Sequence, residues 1–360
     1  MTKLGIMTLN PLPIPLSINQ IKKHCLEEEV TLFVFSPLSI DPYSEKVTGY
    51  EYAPIEDSWH EKKFPIPNLI YDRCIYALNQ NSQQAKRIVQ WLKQRQDTVF
   101  IGYGLPDKWK TQQALQKNPV IAPYLIPTER VTTADEVISF LQIHPLSVLK
   151  PVDGAGGHGV YGLTLDTQNI TIIYTRDMKS SQRTLPLPSF TKWINNLLKK
   201  HDFIVQKKIQ SLSKNNEPFD IRIFLQKEEK GKWISRGAGI RCGKEGSLLT
   251  NLHAGAELVS IKDWKQKQKH LLWDFIMSEI REVIAKLPST LEETFAPLFE
   301  VGLDILIGED SSIWICDINS KPGRTLIEKL YPDKSDDISV SLLRYSKHLE
   351  RNWVDRSPLI

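Results

Sequence analysis

The stretch "SVLKPVDGAGGHGVYG", residues 147–162, decides which kind of fold the chain has. Gly154, Gly156 and Gly159 spell G-x-G-x-x-G, the pattern of dinucleotide-binding turns. In such a turn the glycines lead into a helix whose N-terminus holds the pyrophosphate. The segment that follows, "VYGLTLDTQNITIIYT", is rich in β-branched and aromatic residues and has no helical periodicity. The glycines therefore join two strands, and a dinucleotide-binding turn is excluded.

The same glycines fit a loop that folds over a polyphosphate. A P-loop is excluded because no Lys-Ser or Lys-Thr pair closes the motif. A glycine hairpin can instead donate its backbone N–H groups to phosphates, as in protein kinases, although the H-R-D and D-F-G motifs of kinases are absent. Lys150 lies just ahead of the loop. Two alternatives stay open at this point: a phosphate-covering hairpin, and a surface hairpin without a ligand.

A second cluster of polar residues occurs in "EVGLDILIGEDSSIWICDINSKPG", residues 300–323. Asp317 and Asn319 are two apart on a predicted strand, so they project from the same face. A turn at "GEDSS" would bring Asp304 of the partner strand beside them. Oxygen ligands suit Mg²⁺, which needs one or two carboxylates when substrate phosphates supply the others. Apolar neighbours place these acids in or beside a core, and this favours a metal site over the alternative of exposed strand residues.

Two arginines, Arg222 and Arg241, lie on predicted strands between the two clusters. The guanidinium group is always charged, and its planar set of donors fits phosphate and carboxylate groups. Arg222 stands between Ile221 and Ile223, where a side chain that serves a site is expected. A structural ion pair is the alternative for each arginine.

The composition indicates an ordinary globular protein of two or three domains. The chain has 360 residues and a net charge of +4, with both signs mixed along it, which argues against a nucleic-acid partner. The sequence has no run of about 18 apolar residues, so no membrane span is predicted. The N-terminal residues have the features of a signal peptide only poorly. The cysteines are far apart and fit reduced thiols in the cytoplasm: Cys25, Cys74, Cys242 and Cys316.

The pattern of apolar residues predicts an α/β (α+β) protein. Residues 1–105 alternate short strands with helices, which predicts a mostly parallel sheet. A long polar loop, in which short strands are possible, interrupts it at 41–64. Thr133 and Glu136 form a capping box before the next helix. A hairpin is predicted over 219–242, one amphipathic helix over about 262–287, and another helix at the C-terminus.

Several motifs, in order, resemble those of the ATP-grasp superfamily. They are "PDKWKTQQAL", "VLKPVDGAGGHGV", "IVQKKI", "DIRIF" and "GLDIL…WICDINSKPG", and they cover roughly residues 106–330. "LIYDRCIY" and "APYLIPTERV" are most similar to the YheC/YheD endospore-coat-associated family. The resemblance implies an ATP-grasp fold with an N-terminal parallel-sheet pre-ATP-grasp domain. It divides the chain into 1–105, a central subdomain at 106–205 and a C-terminal subdomain at 206–360.

The resemblance also implies the roles of individual residues, which fall into three groups. Two lysines and the glycine loop would hold the ATP phosphates, and a hinge strand would hold the base or ribose: Lys108, Lys150, Gly154, Gly156, Gly157, Gly159, Gln206, Lys207 and Ile209. The metal ligands would be Asp304, Asp317 and Asn319, although glutamate is commoner in the family where Asp317 stands. Catalytic groups near the transferring phosphoryl group and the acceptor would be Arg222, Arg241 and Asn251. Lys321 and Arg324, beside the metal strand, suggest a nearby anionic substrate group.

The function that the resemblance implies is carboxylate–amine ligation. The reaction would use ATP and two Mg²⁺ ions, for which Mn²⁺ could substitute. It would convert a carboxylate to an acyl-phosphate, which an amine then attacks. The substrates would be small molecules, amino acids or peptides, with no nucleic acid and no membrane involved. A non-catalytic nucleotide-binding protein of the spore coat and a small-molecule kinase are the alternatives. A cytoplasmic location is expected, while spore association and a homodimer stay open.

Overall fold

The computed structural model of the protein describes residues 1–76, 79–154, 157–176, 179–247, 250 and 255–354. Within these residues the strands form three sheets, which follow one another along the chain. All four cysteines are among the described residues, and they are free thiols, as the sequence predicts. No helix in the described part of the chain is long and apolar enough to cross a membrane.

The first sheet is mixed, with strand order β4-β3-β2-β1-β5-β6. Its elements are β1 (Thr2–Met7), α1 (Leu16–Lys22), β2 (Val30–Asp41), β3 (Lys46–Ala53), β4 (Ser58–Pro65), β5 (Leu69–Asp72), α2 (Gln80–Gln94) and β6 (Val99–Phe100). Strands β2, β1, β5 and β6 are parallel neighbours, as predicted. Residues 41–64, predicted as a long polar loop with possible short strands, fold mainly as the antiparallel hairpin of β3 and β4, so strands do form there and take up most of the stretch. Val47 and Phe64 face each other across this hairpin and are buried, so the hairpin extends the core.

The second sheet carries the glycine loop, and its strand order is β11-β10-β9-β8-β12-β7. Its elements are α3 (Lys108–Leu115), β7 (Thr128–Val131), α4 (Ala134–Ile143), β8 (Leu146–Pro151), β9 (Tyr161–Asp166), β10 (Asn169–Arg176), β11 (Lys179–Pro186), α5 (Leu187–Leu198) and β12 (Phe203–Lys207), with a short 3-10 helix at Ala122–Tyr124. The loop joins the antiparallel strands β8 and β9, which confirms the strand-to-strand prediction. The Thr133–Glu136 capping box of α4 is also confirmed.

The third sheet has the order β15-β14-β13-β16-β17. Its elements are β13 (Phe219–Lys227), β14 (Trp233–Cys242), β15 (Glu257–Val259), α6 (Ile261–Lys267), α7 (Trp273–Thr294), β16 (Glu300–Ile307), β17 (Ile313–Asn319), α8 (Thr325–Leu330) and α9 (Ser335–Val354), with a 3-10 helix at Pro332–Lys334. Every residue of β13 is buried. Because side chains alternate along a strand, Ile221 and Ile223 pack into the core shared with α7, and Arg222 projects from the opposite face.

The single helix expected over 262–287 is wrong, because α6 and α7 are separate helices. The break is fixed by contacts outside the helices. The Leu272 amide donates to Ser311 Oγ at 2.9 Å, and Gln268 Oε1 accepts from the Lys214 amide at 3.2 Å. Trp264 and Leu271 are both buried and lie seven residues apart, the spacing of one helix face, so the apolar pattern runs into the break and hides it.

Helix α9 packs on the first sheet, although it follows the third sheet in the chain. Leu342, Leu343 and Tyr345 join the core that β1, β2 and β5 form with α1. Glu28, at the other side of this contact, binds Arg344 Nε at 2.7 Å and Lys347 Nζ at 2.8 Å. The first sheet is therefore held to the rest of the molecule by the C-terminal helix as well as by the chain after β6.

Candidate functional site

Charged side chains lie on one face of the third sheet, on adjacent strands. In the register of the sheet, Arg222 of β13 is opposite Asp304 of β16, which is opposite Asp317 of β17. The pairing of β16 with β17 shifts after Asp304, so that Cys316 is an extra residue in β17. Such bulges redirect side chains and are common beside active sites. The hairpin that the sequence predicts therefore brings Asp304 and Asp317 together.

Arg222, Asp304, Arg241 and Asp220 form a continuous chain of ion pairs. Arg222 Nη1 donates to Asp304 Oδ1, and Arg241 Nη2 lies 2.8 Å from Asp304 Oδ2. Arg241 also forms two hydrogen bonds with Asp220, at 2.8 and 2.7 Å, and Thr250 Oγ1 donates to the same carboxylate. The four charged side chains are buried. A buried charge pair of this kind is costly to break from one side only.

The two predicted phosphate-binding lysines converge on the end of β17. Asp107 caps α3, which begins at Lys108, and the Lys108 ammonium donates to Asp317 Oδ1. Lys150, the fifth residue of β8, donates to the Cys316 carbonyl oxygen at 3.1 Å. The structure therefore places both lysines against the strand that carries Asp317.

The pKa values of these groups follow from burial and from their partners. Burial would raise the pKa of the Asp317 carboxyl, but Lys108 and Lys150 outweigh it and lower that pKa to about 2. Burial likewise opposes ionisation of Asp304, yet Arg222 and Arg241 hold its pKa below the usual value. For Lys150 burial is the largest influence and lowers its pKa. Both carboxylates are therefore anionic at neutral pH.

The cluster carries an excess of positive charge. Counted over the described residues, its cations are Lys108, Lys150, Arg222 and Arg241, and its carboxylates are Asp220, Asp304 and Asp317. Four formal positive charges thus face three negative ones in a largely buried place. A polyanion gains more from such a site than from the protein surface, because the interaction is screened less by water.

A cleft of about 50 Å³ opens beside the two lysines, between α3, β8, β12 and β17. One part of its lining is polar, with Lys108, Lys150, Gln206 and Asp317. The rest is mainly apolar: Leu115, Leu125, Ile204, Ile315 and Ile318. Apolar walls with a charged end suit a planar base joined to phosphates. The volume is small for such a ligand.

A larger cavity, of about 320 Å³, lies on the opposite face of the third sheet beneath α7. Its walls are mainly aliphatic, for example Ile221, Ile223 and Ile280. Among the described residues that line it, Arg281 is the one with a charged side chain. The cavity therefore lacks the convergent polar groups that the smaller cleft has.

The three predicted hinge residues are placed differently from one another. Gln206 lines the cleft, and its Nε2 donates to Thr128 Oγ1 at 2.9 Å. The side chain of Lys207 is exposed, and its amide already donates to the Pro127 carbonyl at 3.0 Å. Ile209 is half-buried. Of the three, only Gln206 lines the cleft in the part of the chain that the structure describes.

The glycine loop needs glycine at two positions that the motif includes. Gly157 has φ 80° and Gly159 has φ 72°, in the left-handed region that other residues rarely adopt. The Gly154 amide donates to the Pro151 carbonyl at 3.3 Å and closes the turn after β8. Gly156 and Asn251 lie outside the described residues, so the structure does not locate these two predicted site residues.

The predicted metal ligands offer two carboxylates and one amide. Asn319 projects to the same side as Asp317, with Nδ2 3.4 Å from Asp317 Oδ2. The residues that the structure describes contain no group of three or more His, Cys, Asp and Glu side chains that could hold a metal ion. Two carboxylates and an amide oxygen nevertheless fit Mg²⁺ when phosphates complete its coordination. The bonds from Arg222 and Lys108 to these carboxylates would have to be exchanged first.

Arg324, which the sequence places near an anionic substrate group, has a different environment. Its side chain is buried, with Nη2 3.5 Å from Glu300 Oε1 and Nη1 3.4 Å from Ser339 Oγ. Glu300 also accepts from Tyr71 at 2.7 Å and from Arg73 at 3.2 Å. Arg324 is thus bound to Glu300 and Ser339, and its role toward an anionic substrate group stays a prediction.

Gly302 is a residue of the site that the sequence analysis missed. It lies on β16 beside Arg222, and a Cβ atom there would be 2.5 Å from Arg222 Nη2 and 2.9 Å from Pro322 Cβ. Only a hydrogen atom leaves room for the guanidinium group over the strand. A glycine inside an otherwise apolar strand is the signal that could have identified it.

Gly302→Ala should therefore lower the free energy of unfolding by about 1–3 kcal/mol, because the new methyl group pushes Arg222 away from Asp304. Urea unfolding measures this change. Gly323→Ala is the matched control, because no atom lies within 4 Å of a Cβ at that position. Equal stability of the two variants would contradict the close fit of Arg222 over Gly302.

The chain is similar to proteins of one family. A family model described as "YheC/D like ATP-grasp" matches residues 97–349. The chain is 36% identical to "Endospore coat-associated protein YheC" of Bacillus subtilis (strain 168) over 354 residues, which are 97% of this chain and 96% of that protein. It is 25% identical to "Endospore coat-associated protein YheD" of the same strain over 305 residues, 82% of this chain and 65% of that one.

Solved structures show the fold. D-cycloserine synthetase DcsG superposes with a TM-score of 0.57 at 14% identity, covering 97% of this chain and 99% of that one. D-alanyl-alanine synthetase A from Vibrio cholerae gives 0.56 at 11% identity, with 98% and 99% covered. A Chryseobacterium gregarium RiPP-associated ATP-grasp ligase, in complex with ADP and a leader and core peptide, gives 0.52 at 11% identity, with 98% and 97% covered. These likenesses confirm the ATP-grasp fold that the motif order predicts.

Proposed function

Because the chain belongs to the YheC/D-like ATP-grasp family, we propose that it is a ligase that uses ATP and Mg²⁺ to join a carboxylate to an amine through an acyl-phosphate. The observation that carries the proposal is the charge cluster at the cleft. Four cations and three carboxylates converge there beside an apolar pocket. Phosphoryl transfer requires mainly positioning and charge neutralisation, which these groups supply without a protein nucleophile.

The lysines would bind the nucleotide. Lys108 and Lys150 now bind Asp317 and the Cys316 carbonyl, and phosphate oxygens would take the place of these partners. The base would enter between the aliphatic residues of the cleft, next to Gln206. The amides of the glycine loop would cover the phosphates and keep water from the reactive intermediate.

Asp304, Asp317 and Asn319 would hold Mg²⁺, which supplies neutralisation of the phosphate charge when bound. Arg222 would leave Asp304 and donate to the transferring phosphoryl group. Arg241 can stay bonded to Asp220 throughout, and it then keeps one positive charge next to the site. Each cation thus has a partner before and after the nucleotide binds.

The substrate class that we propose is an amino acid or a peptide, and the support comes from related folds. D-alanyl-alanine synthetase joins amino acids by its name, and another neighbour was solved with a leader and core peptide. The relatives named endospore coat-associated support a role during sporulation, with the protein cytoplasmic or associated with the spore.

Purified protein should release ADP from ATP only when both a carboxylate and an amine are present. The product should weigh the sum of the two substrates minus one water, and chelation of Mg²⁺ with EDTA should stop ADP release. A coupled ADP assay over panels of amino acids and peptides, with mass spectrometry, measures this. A stable phosphorylated product from one substrate would instead establish a kinase. ATP binding without turnover across the panels would favour the non-catalytic alternative.

A further inference from the structure

A second cluster of charged side chains lies outside the cleft, at the carboxyl end of β5. Asp72, the last residue of β5, is buried, and its Oδ1 accepts from the Cys74 amide at 2.9 Å. Its Oδ2 lies 2.6 Å from Lys321 Nζ, which also donates to the Cys74 carbonyl at 3.0 Å. Lys321 follows Asn319 by two residues. The cluster therefore adjoins the strand that carries the predicted metal ligands.

Tyr76 lies at the centre of this cluster, and the ammonium groups of two lysines from later segments of the chain lie near its ring. Lys321 Nζ is 5.0 Å from the centroid of its ring, and Lys86 Nζ is 5.6 Å from it. The Tyr76 hydroxyl is buried and has no hydrogen-bond partner within the described ranges. The Cys74 thiol beside it is a weak acceptor. A buried hydroxyl without a partner costs free energy, so this one indicates that a ligand atom belongs next to it.

The cluster has more positive than negative charge, and it borders the glycine loop. Lys86 Nζ lies 3.6 Å from Asp153 Oδ2, and Asp153 precedes the first glycine of the loop. A third lysine, Lys93, donates to the Tyr103 carbonyl oxygen. Burial lowers the pKa of Lys93, an effect that Asp72 opposes and Lys321 reinforces. The cluster thus has three ammonium groups but only two carboxylates among the residues named here, the buried Asp72 and the exposed Asp153.

We propose that Lys86, Lys321 and the Tyr76 hydroxyl form a subsite for a carboxylate that the substrate retains after ligation, such as the main-chain carboxylate of an amino acid or peptide. This rests on the proposed function, since it names the chemistry of that ligase's substrate. Ammonium groups and a phenolic hydroxyl are donors that bind a carboxylate by charge-assisted hydrogen bonds. The position between the glycine loop and β17 places such a group next to the reacting atoms. Inorganic phosphate offers similar chemistry and is the competitor to test.

Titration calorimetry without ATP tests the subsite. The probes are the common amino acids and the same amino acids as C-terminal amides, which keep the amine and the side chain but lose the carboxylate. At least one free acid should bind, and its amide should bind more weakly by about tenfold or more. Tyr76→Phe and Lys86→Met should each weaken binding of the acid by about tenfold and leave binding of the amide unchanged.

A matched control and a stability measurement separate binding from folding. Lys334 Nζ lies 5.5 Å from the centroid of the Tyr331 ring, so Lys334→Met removes a similar lysine–tyrosine contact elsewhere and should change no affinity. Tyr76→Phe should unfold at the same or a higher urea concentration, because it removes a buried hydroxyl whose neighbouring acceptor is the weak Cys74 thiol.

The proposal is overturned if no free acid binds, if the amides bind as tightly as the acids, or if both variants bind like the wild type. It is also overturned if inorganic phosphate binds more tightly than every acid. Failure of the ligase proposal looks different, because binding is measured without turnover. A protein that binds free acids but never releases ADP would overturn the ligase proposal alone. A ligase that uses amides as well as acids would overturn the subsite alone.

Discussion

Lys150→Met is expected to weaken ATP binding by about 100-fold, because it removes the charge-assisted contact to phosphate that we propose for this buried lysine. The fold should survive this change. Burial lowers the pKa of Lys150, which means that the folded state disfavours its charge relative to the unfolded chain. The free energy of unfolding should therefore stay the same or rise when methionine replaces the lysine at neutral pH.

The stability difference between wild type and Lys150→Met should depend on pH in a defined direction. A lysine whose pKa is lowered from 10.5 by folding destabilises the folded state fully at pH values below the lowered pKa, and this cost is lost between the lowered pKa and 10.5. The stability difference between wild type and Lys150→Met should therefore shrink as the pH rises from the lowered pKa of Lys150 to about 10.5. Over the same interval wild-type affinity for ATP should fall, because Lys150 loses its charge.

Lys227→Met is the matched control for this prediction. Lys227 is 8% exposed and Lys150 is 9% exposed, but Lys227 Nζ has a carboxylate partner in Glu292 at 2.8 Å. Its replacement should therefore lower stability and leave ATP affinity unchanged. Calorimetry with ATP and Mg²⁺, together with urea unfolding, measures both quantities. If Lys150→Met and the wild type bind ATP with equal affinity, Lys150 does not contact the nucleotide.

Asp304→Ala should lower the free energy of unfolding by about 3–5 kcal/mol and abolish ADP release. The carboxylate is shared by Arg222 and Arg241, so its removal leaves buried positive charge without compensation. The double variant Arg222→Met, Asp304→Leu should be more stable than Asp304→Ala, because it removes charge of both signs. It should still release no ADP. Urea unfolding and the ADP assay distinguish the two effects.

Asp202→Ala is the matched control for the buried pair. Asp202 Oδ2 lies 2.9 Å from Arg130 Nη2, but both side chains are largely exposed. Exposed pairs contribute at most about 1 kcal/mol, so this substitution should have a small effect. If Asp304→Ala costs no more than Asp202→Ala, the ion-pair chain does not stabilise the sheet as described.

The sequence predicts the parts of the site that depend on neighbours along the chain. The hairpin that joins Asp304 to Asp317 follows from two apolar strands and a polar turn, and the strand after the glycines follows from its β-branched residues. Both signals are local, because a strand's alternation and a turn's composition are set within a few residues. The resemblance then implied which lysines belong with them.

The parts that the sequence does not predict depend on contacts between distant segments. The pairing of β3 with β4 is hard to predict because β4 is mostly polar and Phe64 is its one buried residue, so the alternation along it is weak. The burial of Arg324 depends on Glu300, which lies on another strand and has no sequence signature as its partner. The bond from Lys108 to Asp317 joins residues 209 positions apart. Pairings of this kind are set by the assembled fold, because no local pattern selects the partner.

The position of α9 has a consequence for how the protein is made. Strands β1 and β2 leave the ribosome early, but Leu342 and Leu343, which complete the core beside them, are synthesised only after all three sheets. The apolar side chains that α9 covers therefore lack this cover on the nascent chain until the strands of all three sheets have been synthesised. Contacts between such distant segments also slow folding, because a long loop must close before they form. The first sheet is thus begun early in synthesis and completed last.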